Sequence, residues 1–209
     1  MAIALCRKVM RQDRYNNFDH LAACEKEGVD YTISVVRRPS SVVAVIAPHG
    51  GKIEPRTAEI ASAIAGGELN LYLFEGIKAS GNYAALHITS HRFDEPCCLA
   101  LIRECSTVVA IHGCTGNDER VLLGGLDVNL KACISEALQQ AGLRVQTDGH
   151  IFQAADSNNT CNRGLTGMGV QIELSRPLRG SANEAPAIQA VRSVLLYTHV
   201  VAADFKLSI

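Results

Sequence analysis

The run Val42-Val43-Ala44-Val45-Ile46-Ala47 carries no polar side chain and leads directly into Pro48-His49-Gly50-Gly51-Lys52-Ile53-Glu54. β-Branched residues dominate it, so 41–47 reads as a strand. The lack of polar alternation means that both faces of that strand are covered. Two glycines and a lysine follow the histidine, so the backbone can turn sharply there. A helix over 55–65 comes next. Ile60, Ala61, Ile64 and Ala65 share one face of it, and Gly66-Gly67 ends it.

The alternation continues on both sides. Strands are expected at 31–36, before the turn Arg38-Pro39-Ser40-Ser41, and at 69–74, 84–89 and 107–111. Asp94 is expected to cap a helix running to about Glu104, with Pro96 in its first turn. An amphipathic helix over 127–140 presents Leu130, Cys133, Ile134, Ala137 and Leu138, and Gly142 stops it. Short strands at 143–147 and 170–174 and a mostly apolar helix over 186–201 complete the chain. The pattern predicts an α/β fold: a single domain over 1–209 with a mixed, largely parallel sheet and helices on both faces.

Composition narrows the function. The chain has 209 residues, 47% hydrophobic and 20% charged, with a formal net charge of −1. No basic run exceeds Arg37-Arg38, so nucleic acid is not an expected partner. No apolar stretch is long enough to span a bilayer, and the charged N-terminus lacks the apolar core of a secretory signal. A cytoplasmic protein is expected. The eight cysteines form no CxxC pair and read as reduced thiols.

In open α/β sheets, ligands bind beyond the carboxyl ends of strands. Three runs end on ionisable residues there: His49 after 42–47, His112 after 107–111, and Glu173 at the end of 170–172. A glycine turn can bring Glu54 back towards His49. His49, Glu54 and His112 then form a two-histidine, one-carboxylate set of the kind that holds catalytic zinc with one position left open. Glu173 can serve as general base beside it. The spacing alone also allows His49 to bond only its own turn, and Glu173 to face solvent. His87 is a candidate substrate donor or an alternative third metal ligand. A nucleophilic Cys114 or Cys161 is a further alternative.

A family resemblance is carried by APHGGKIEP (47–55), LYLFEG (71–76), LHITSHRFDEP (86–96), VVAIHG (108–113), GGLD (124–127), CNRG (161–164) and GVQIELSRPLR (169–179). In this order they resemble the poly-γ-glutamate hydrolase family, small zinc enzymes best known from bacteriophages and similar to compact zinc carboxypeptidases. The resemblance implies Zn2+ held by His49, Glu54 and His112, with Glu173 as base. The carboxypeptidase pattern places two residues between its first histidine and glutamate; here there are four, which makes Glu54 the loosest of the three assignments.

The implied substrate is the γ-glutamyl amide bond of a polyanionic glutamate polymer. Arg163, Arg120, Arg92, Lys52 and Arg176 are candidate cations for it. Arg163, within Asn162-Arg163-Gly164, is preferred, and Arg163 or Arg120 is expected at the oxyanion. Asn162, His87 and Lys52 are expected to bind substrate. Other readings are a zinc amidase for small N-acyl or γ-glutamyl amino acids, and a non-catalytic phage-associated binding protein of the same fold. A monomer is expected, with cell lysis as its route to an external polymer.

Overall fold

The computed structural model describes residues 12–207. Residues 1–11, which include Cys6 and most of the N-terminal segment read as non-secretory, lie outside them. In chain order the elements are α1 (Phe18–Ala22), β1 (Tyr31–Val36), β2 (Val43–Gly51), α2 (Thr57–Ala65), β3 (Asn70–Gly76), α3 (Asn82–Leu86) and α4 (Pro96–Ile102). There follow β4 (Thr107–Cys114), β5 (Val121–Gly124), α5 (Val128–Gln140), β6 (Val145–Gln146), a 3-10 turn (Thr160–Arg163), β7 (Val170–Ser175) and α6 (Glu184–Leu207).

The strands form one seven-stranded sheet in the order β1-β3-β2-β4-β7-β5-β6. β1 pairs antiparallel with β3, and β5 with β7; the other neighbours are parallel. Side chains alternate across each strand, so the sheet feeds two cores. On one face Val43, Val45, Val109, Ile111 and Ile172 pack with Ile60 and Ile64 of α2, Ile134 of α5 and Leu195 of α6. On the other, Ala44, Ile46, Tyr72, Phe74, Val108 and Ala110 pack with Leu21, Leu86, Leu101 and Ile102 of α1, α3 and α4. The largely parallel sheet covered on both faces is the architecture the sequence predicts. No helix among the described residues is long and apolar enough to cross a membrane.

Three local expectations are corrected. The strand expected at 84–89 is instead α3, followed by extended chain. Tyr83-Ala84-Ala85-Leu86 has no polar alternation, and Ala and Leu favour a helix once Ala85 and Leu86 can be buried together. Asp94 does not cap α4. Glu95 does, accepting the N–H groups of Cys97 and Cys98, while Asp94 accepts the N–H of Phe18 at 2.7 Å. The short strand β5 was not foreseen; its four residues complete the sheet by pairing with β7.

β4 lies between β2 and β7, and all three run in the same direction. Their carboxyl ends therefore meet at one edge, where His49, His112 and Glu173 stand.

Candidate metal and active centre

β2 carries a register shift against β3 between Ala47 and Gly50, so Pro48 and His49 bulge out of the ladder. Nε2 of His49 lies 2.8 Å from the carbonyl of Ile88 and must donate to it. That fixes the tautomer and leaves Nδ1 with a bare lone pair facing inward. His112 comes from β4, with Nε2 3.4 Å from Ser90 Oγ. Its Nδ1 lies 3.1 Å from His49 Nδ1.

Glu54 closes the set. Its N–H donates to the His49 carbonyl at 2.9 Å, which folds the intervening turn back on itself. Thr57, the first residue of α2, donates its hydroxyl to the Glu54 carbonyl at 2.8 Å and lies 3.3 Å from that of His49. The Glu54 carboxylate then reaches His49 Nδ1 at 3.4 Å and His112 Nδ1 at 3.6 Å, and accepts the N–H of Gly113 at 2.8 Å. Burial alone would raise its pKa; the two facing histidines outweigh burial and hold it well below the usual carboxylate range.

The turn depends on Gly51, which has φ +60°. A Cβ there would sit 2.6 Å from the Gly76 carbonyl oxygen, against rigid backbone. Gly51→Ala is expected to cost about 1–3 kcal/mol of stability. Urea unfolding checks this, and a midpoint equal to wild type would refute the tight turn.

Among the described residues, His49, Glu54 and His112 are all buried, and the ligand atoms they offer lie within 4.8 Å of one another. A tetrahedral ion bonded at about 2.0–2.1 Å holds neighbouring ligand atoms about 3.3–3.4 Å apart. The two Nδ1 atoms are 3.1 Å apart, and each has one oxygen of the Glu54 carboxylate near it, Oε1 at 3.4 Å from His49 and Oε2 at 3.6 Å from His112, which is close to that spacing. Two nitrogens and an oxygen converging in a dry pocket suit a small divalent cation.

Glu173 pairs in register with His112 across β4 and β7, so both side chains leave the same face of the sheet. Glu173 is buried, and its Oε1 accepts an N–H of Gln171 at 2.9 Å.

The other expected residues lie in varied places. His87, at the end of α3, is held by Asp13 through Nδ1 at 2.7 Å. Its ring lies between Tyr83 and His49, at centroid distances of 4.5 and 4.2 Å. It borders the metal set without joining it, and lines a cleft of about 250 Å3 with Gln12, Asp13, Tyr83 and Ala84. Lys52 is exposed on the turn, donating to the Lys78 carbonyl at 3.1 Å. Arg163 donates to the Phe93 carbonyl at 3.1 Å. Arg120 pairs with Asp118, Arg92 with Asp13, and Arg176 is exposed. Asn162 is buried, and its amide bonds backbone groups of Leu126, Ala154, Asp156 and Gly169. Burial pushes the Cys114 and Cys161 thiols up to about 12, which argues against a thiolate nucleophile.

Two contributors to the loops around the site escaped the sequence reading. Arg179 ends the segment GVQIELSRPLR, and its place in that shared run was the available signal. It donates to the Pro55 carbonyl at 2.6 Å and lies 3.3 Å from that of Cys114. It thus ties the loop after Glu54 to the strand end after His112. A Cβ on Gly113 would strike its guanidinium at 2.5 Å. Burial lowers the Arg179 pKa, and the nearby charges of Glu54 and Glu173 oppose that shift.

Asp13 is the second. Besides His87 and Arg92, it accepts the Thr89 N–H at 2.8 Å and the Thr89 hydroxyl at 2.7 Å. Burial opposes its charge, but these donors and His87 hold its carboxyl well below the usual range. A depressed folded pKa stabilises the fold fully above the unfolded value of about 4, and the contribution fades as pH falls towards the folded value. Asp13→Asn is expected to cost about 1–3 kcal/mol at neutral pH, and the gap to wild type is expected to narrow below about pH 4. Urea titrations across that range check the sign; a gap independent of pH would contradict it.

A sequence profile of the poly-gamma-glutamate hydrolase family matches residues 15–193. UPF0714 protein YmaC of Bacillus subtilis (strain 168) is 38% identical over 169 residues, spanning 80% of this chain and 71% of its own length. A solved bacteriophage poly-gamma-glutamate hydrolase superposes with a TM-score of 0.83 at 30% identity, covering 91% of this chain and 100% of that one. YndL, solved in a zinc-free form, superposes with a TM-score of 0.79 at 31% identity, covering 90% of this chain and 99% of that one. N-formylglutamate amidohydrolase from Ralstonia eutropha, at 11% identity and a TM-score of 0.55, shares the fold. The profile spans most of the sequence, and the chain belongs to the poly-gamma-glutamate hydrolase family.

Proposed function

We propose that this protein is a zinc-dependent hydrolase that cleaves the γ-glutamyl amide bonds of poly-γ-glutamate. The observation that carries the reading is the convergence of His49, Glu54 and His112 beside an in-register Glu173. The family supports hydrolysis of the polymer, and the relative solved as zinc-free supports zinc as the ion.

His49, Glu54 and His112 would hold the metal. When bound, zinc acidifies water and polarises a carbonyl. Glu173 accepts the proton of the attacking water and returns it to the departing amine, so that each turnover leaves the carboxylate as it began. Burial of the ligands and of Glu173 keeps bulk water from competing for that proton.

Arg179 braces the two ligand-bearing segments, reaching the Pro55 and Cys114 carbonyls from the face of the sheet that Ile111 and Ile172 line. The guanidinium groups of Arg163 and Arg120, the cations expected at the oxyanion, are engaged with the Phe93 carbonyl and with Asp118 and would have to exchange these partners to reach substrate. Lys52 is exposed on the turn between His49 and Glu54, and His87 lines a cleft beside His49; a polyanionic chain would need such cations and donors.

Incubation with poly-γ-glutamate, followed by size-exclusion chromatography, tests the reading. The polymer is expected to shorten, and a chelator to stop the shortening. An intact polymer, with cleavage of only small γ-glutamyl or N-acyl amino acids, would move the substrate to the small-amide class.

A further inference from the structure

Gln171 and Glu173 lie two apart on β7 and so share a face of the sheet. Both are buried, at 5% and 4% exposure. The apolar residues of this strand, Val170, Ile172 and Leu174, pack into the core on the opposite face. A buried amide in a strand costs free energy unless hydrogen bonds compensate it. Here each end of the amide has a partner: Gln171 Nε2 donates to Glu173 Oε1 at 2.9 Å, and Gln171 Oε1 accepts from Asn159 Nδ2, also at 2.9 Å.

The direction of this chain is determined from outside. Asn159 Oδ1 accepts the backbone N–H of Cys161 at 3.2 Å. A peptide N–H can only donate, so it dictates which end of the Asn159 amide is oxygen. The Asn159 nitrogen must then face Gln171, and the Gln171 nitrogen must face Glu173. One peptide group in the 3-10 turn therefore orients two side-chain amides in series.

We infer that Gln171, backed by Asn159, is a positioning residue for Glu173. It holds the carboxylate by Oε1 and so sets the direction in which the base meets substrate and water. A neutral amide suits this task because it orients the carboxylate without giving or taking a proton. The inference rests on Glu173 acting as the base. Misplacing such a group by about 1 Å can cost on the order of 100-fold in rate.

The test compares metal-loaded wild type, Gln171→Leu, Asn159→Asp, Glu173→Gln and the double variant Gln171→Leu/Glu173→Gln on poly-γ-glutamate. Gln171→Leu is expected to keep its metal and its KM within about twofold while kcat falls about 10- to 100-fold. Asn159→Asp keeps the acceptor for Cys161 but sets an oxygen against Gln171 Oε1. The Gln171 amide then turns over, its oxygen faces Glu173, and kcat falls similarly. This variant retains a polar partner and keeps the question answerable if Gln171→Leu does not fold. In the double variant, Gln171→Leu is expected to add nothing, because a residue acting through Glu173 has nothing left to position. A crystal structure of Gln171→Leu is expected to show the Glu173 carboxylate in a changed rotamer. Wild-type kcat in both Gln171→Leu and Asn159→Asp, or a full multiplicative loss in the double variant, overturns the inference. Wild-type turnover by Glu173→Gln is a different result: it removes the base assignment itself, and the inference with it.

Discussion

His112→Ala is expected to lose both the metal and the activity. His112 supplies one of two nitrogens 3.1 Å apart, and Glu54 spans the pair. Removing one ligand of three leaves a site with a single imidazole and a carboxylate, below the three protein ligands usual for catalytic zinc. Loss of an outer-shell partner alone costs about 10- to 100-fold in metal affinity, and loss of a ligand is expected to exceed that. The fold is expected to survive, because His112 is at the end of β4 and the apolar residues of that strand remain. Metal analysis after dialysis, with circular dichroism as a control, checks this. The same analysis of His87→Ala separates the two candidates for third ligand. His87 is held by Asp13 and stands outside the set, so that variant is expected to keep its metal. The opposite outcome would exchange the roles of His87 and His112.

Glu173→Gln is expected to bind metal as wild type does and to lose about 100- to 10,000-fold in kcat, the range that a positioned proton-transfer group supplies. The amide keeps the shape and one acceptor oxygen for Gln171, so the strand pairing with His112 is preserved. It has no basic oxygen to receive a proton. KM is expected to change little, since the group acts in the transition state rather than in holding the polymer. Full turnover in this variant would remove Glu173 from the reaction and leave the convergence of the three ligands without a base.

The sequence was most informative where one residue's environment is set by its own strand. The unbroken apolar run 42–47 can only be a covered strand, and the histidines that follow it and 107–111 had to emerge at the sheet edge. Glu54 was less legible. Its approach to His49 depends on the positive φ of Gly51 and on a return hydrogen bond, and the four-residue spacing implies neither. Arg179, Asp13 and Gln171 were missed for a shared reason: their partners come from elsewhere in the chain. Asp13 meets His87 across 74 positions, Arg179 meets Pro55 across 124, and Gln171 meets Asn159 across a loop. Such pairings follow from the order of strands in the sheet, which local periodicity does not encode. The expected strand at 84–89 failed for the converse reason. A short Ala-rich segment has no strong preference of its own, and burial of Leu86 in the cluster with Tyr72, Phe74 and Leu101 decided it.

The central claim is that zinc sits between His49, Glu54 and His112. A crystal of zinc-loaded protein, measured on both sides of the zinc absorption edge, tests it most directly. One anomalous peak per chain is expected, about 2.0–2.2 Å from His49 Nδ1, His112 Nδ1 and a Glu54 carboxylate oxygen. No peak at that position, or one ligated by His87 in place of His112, would contradict it.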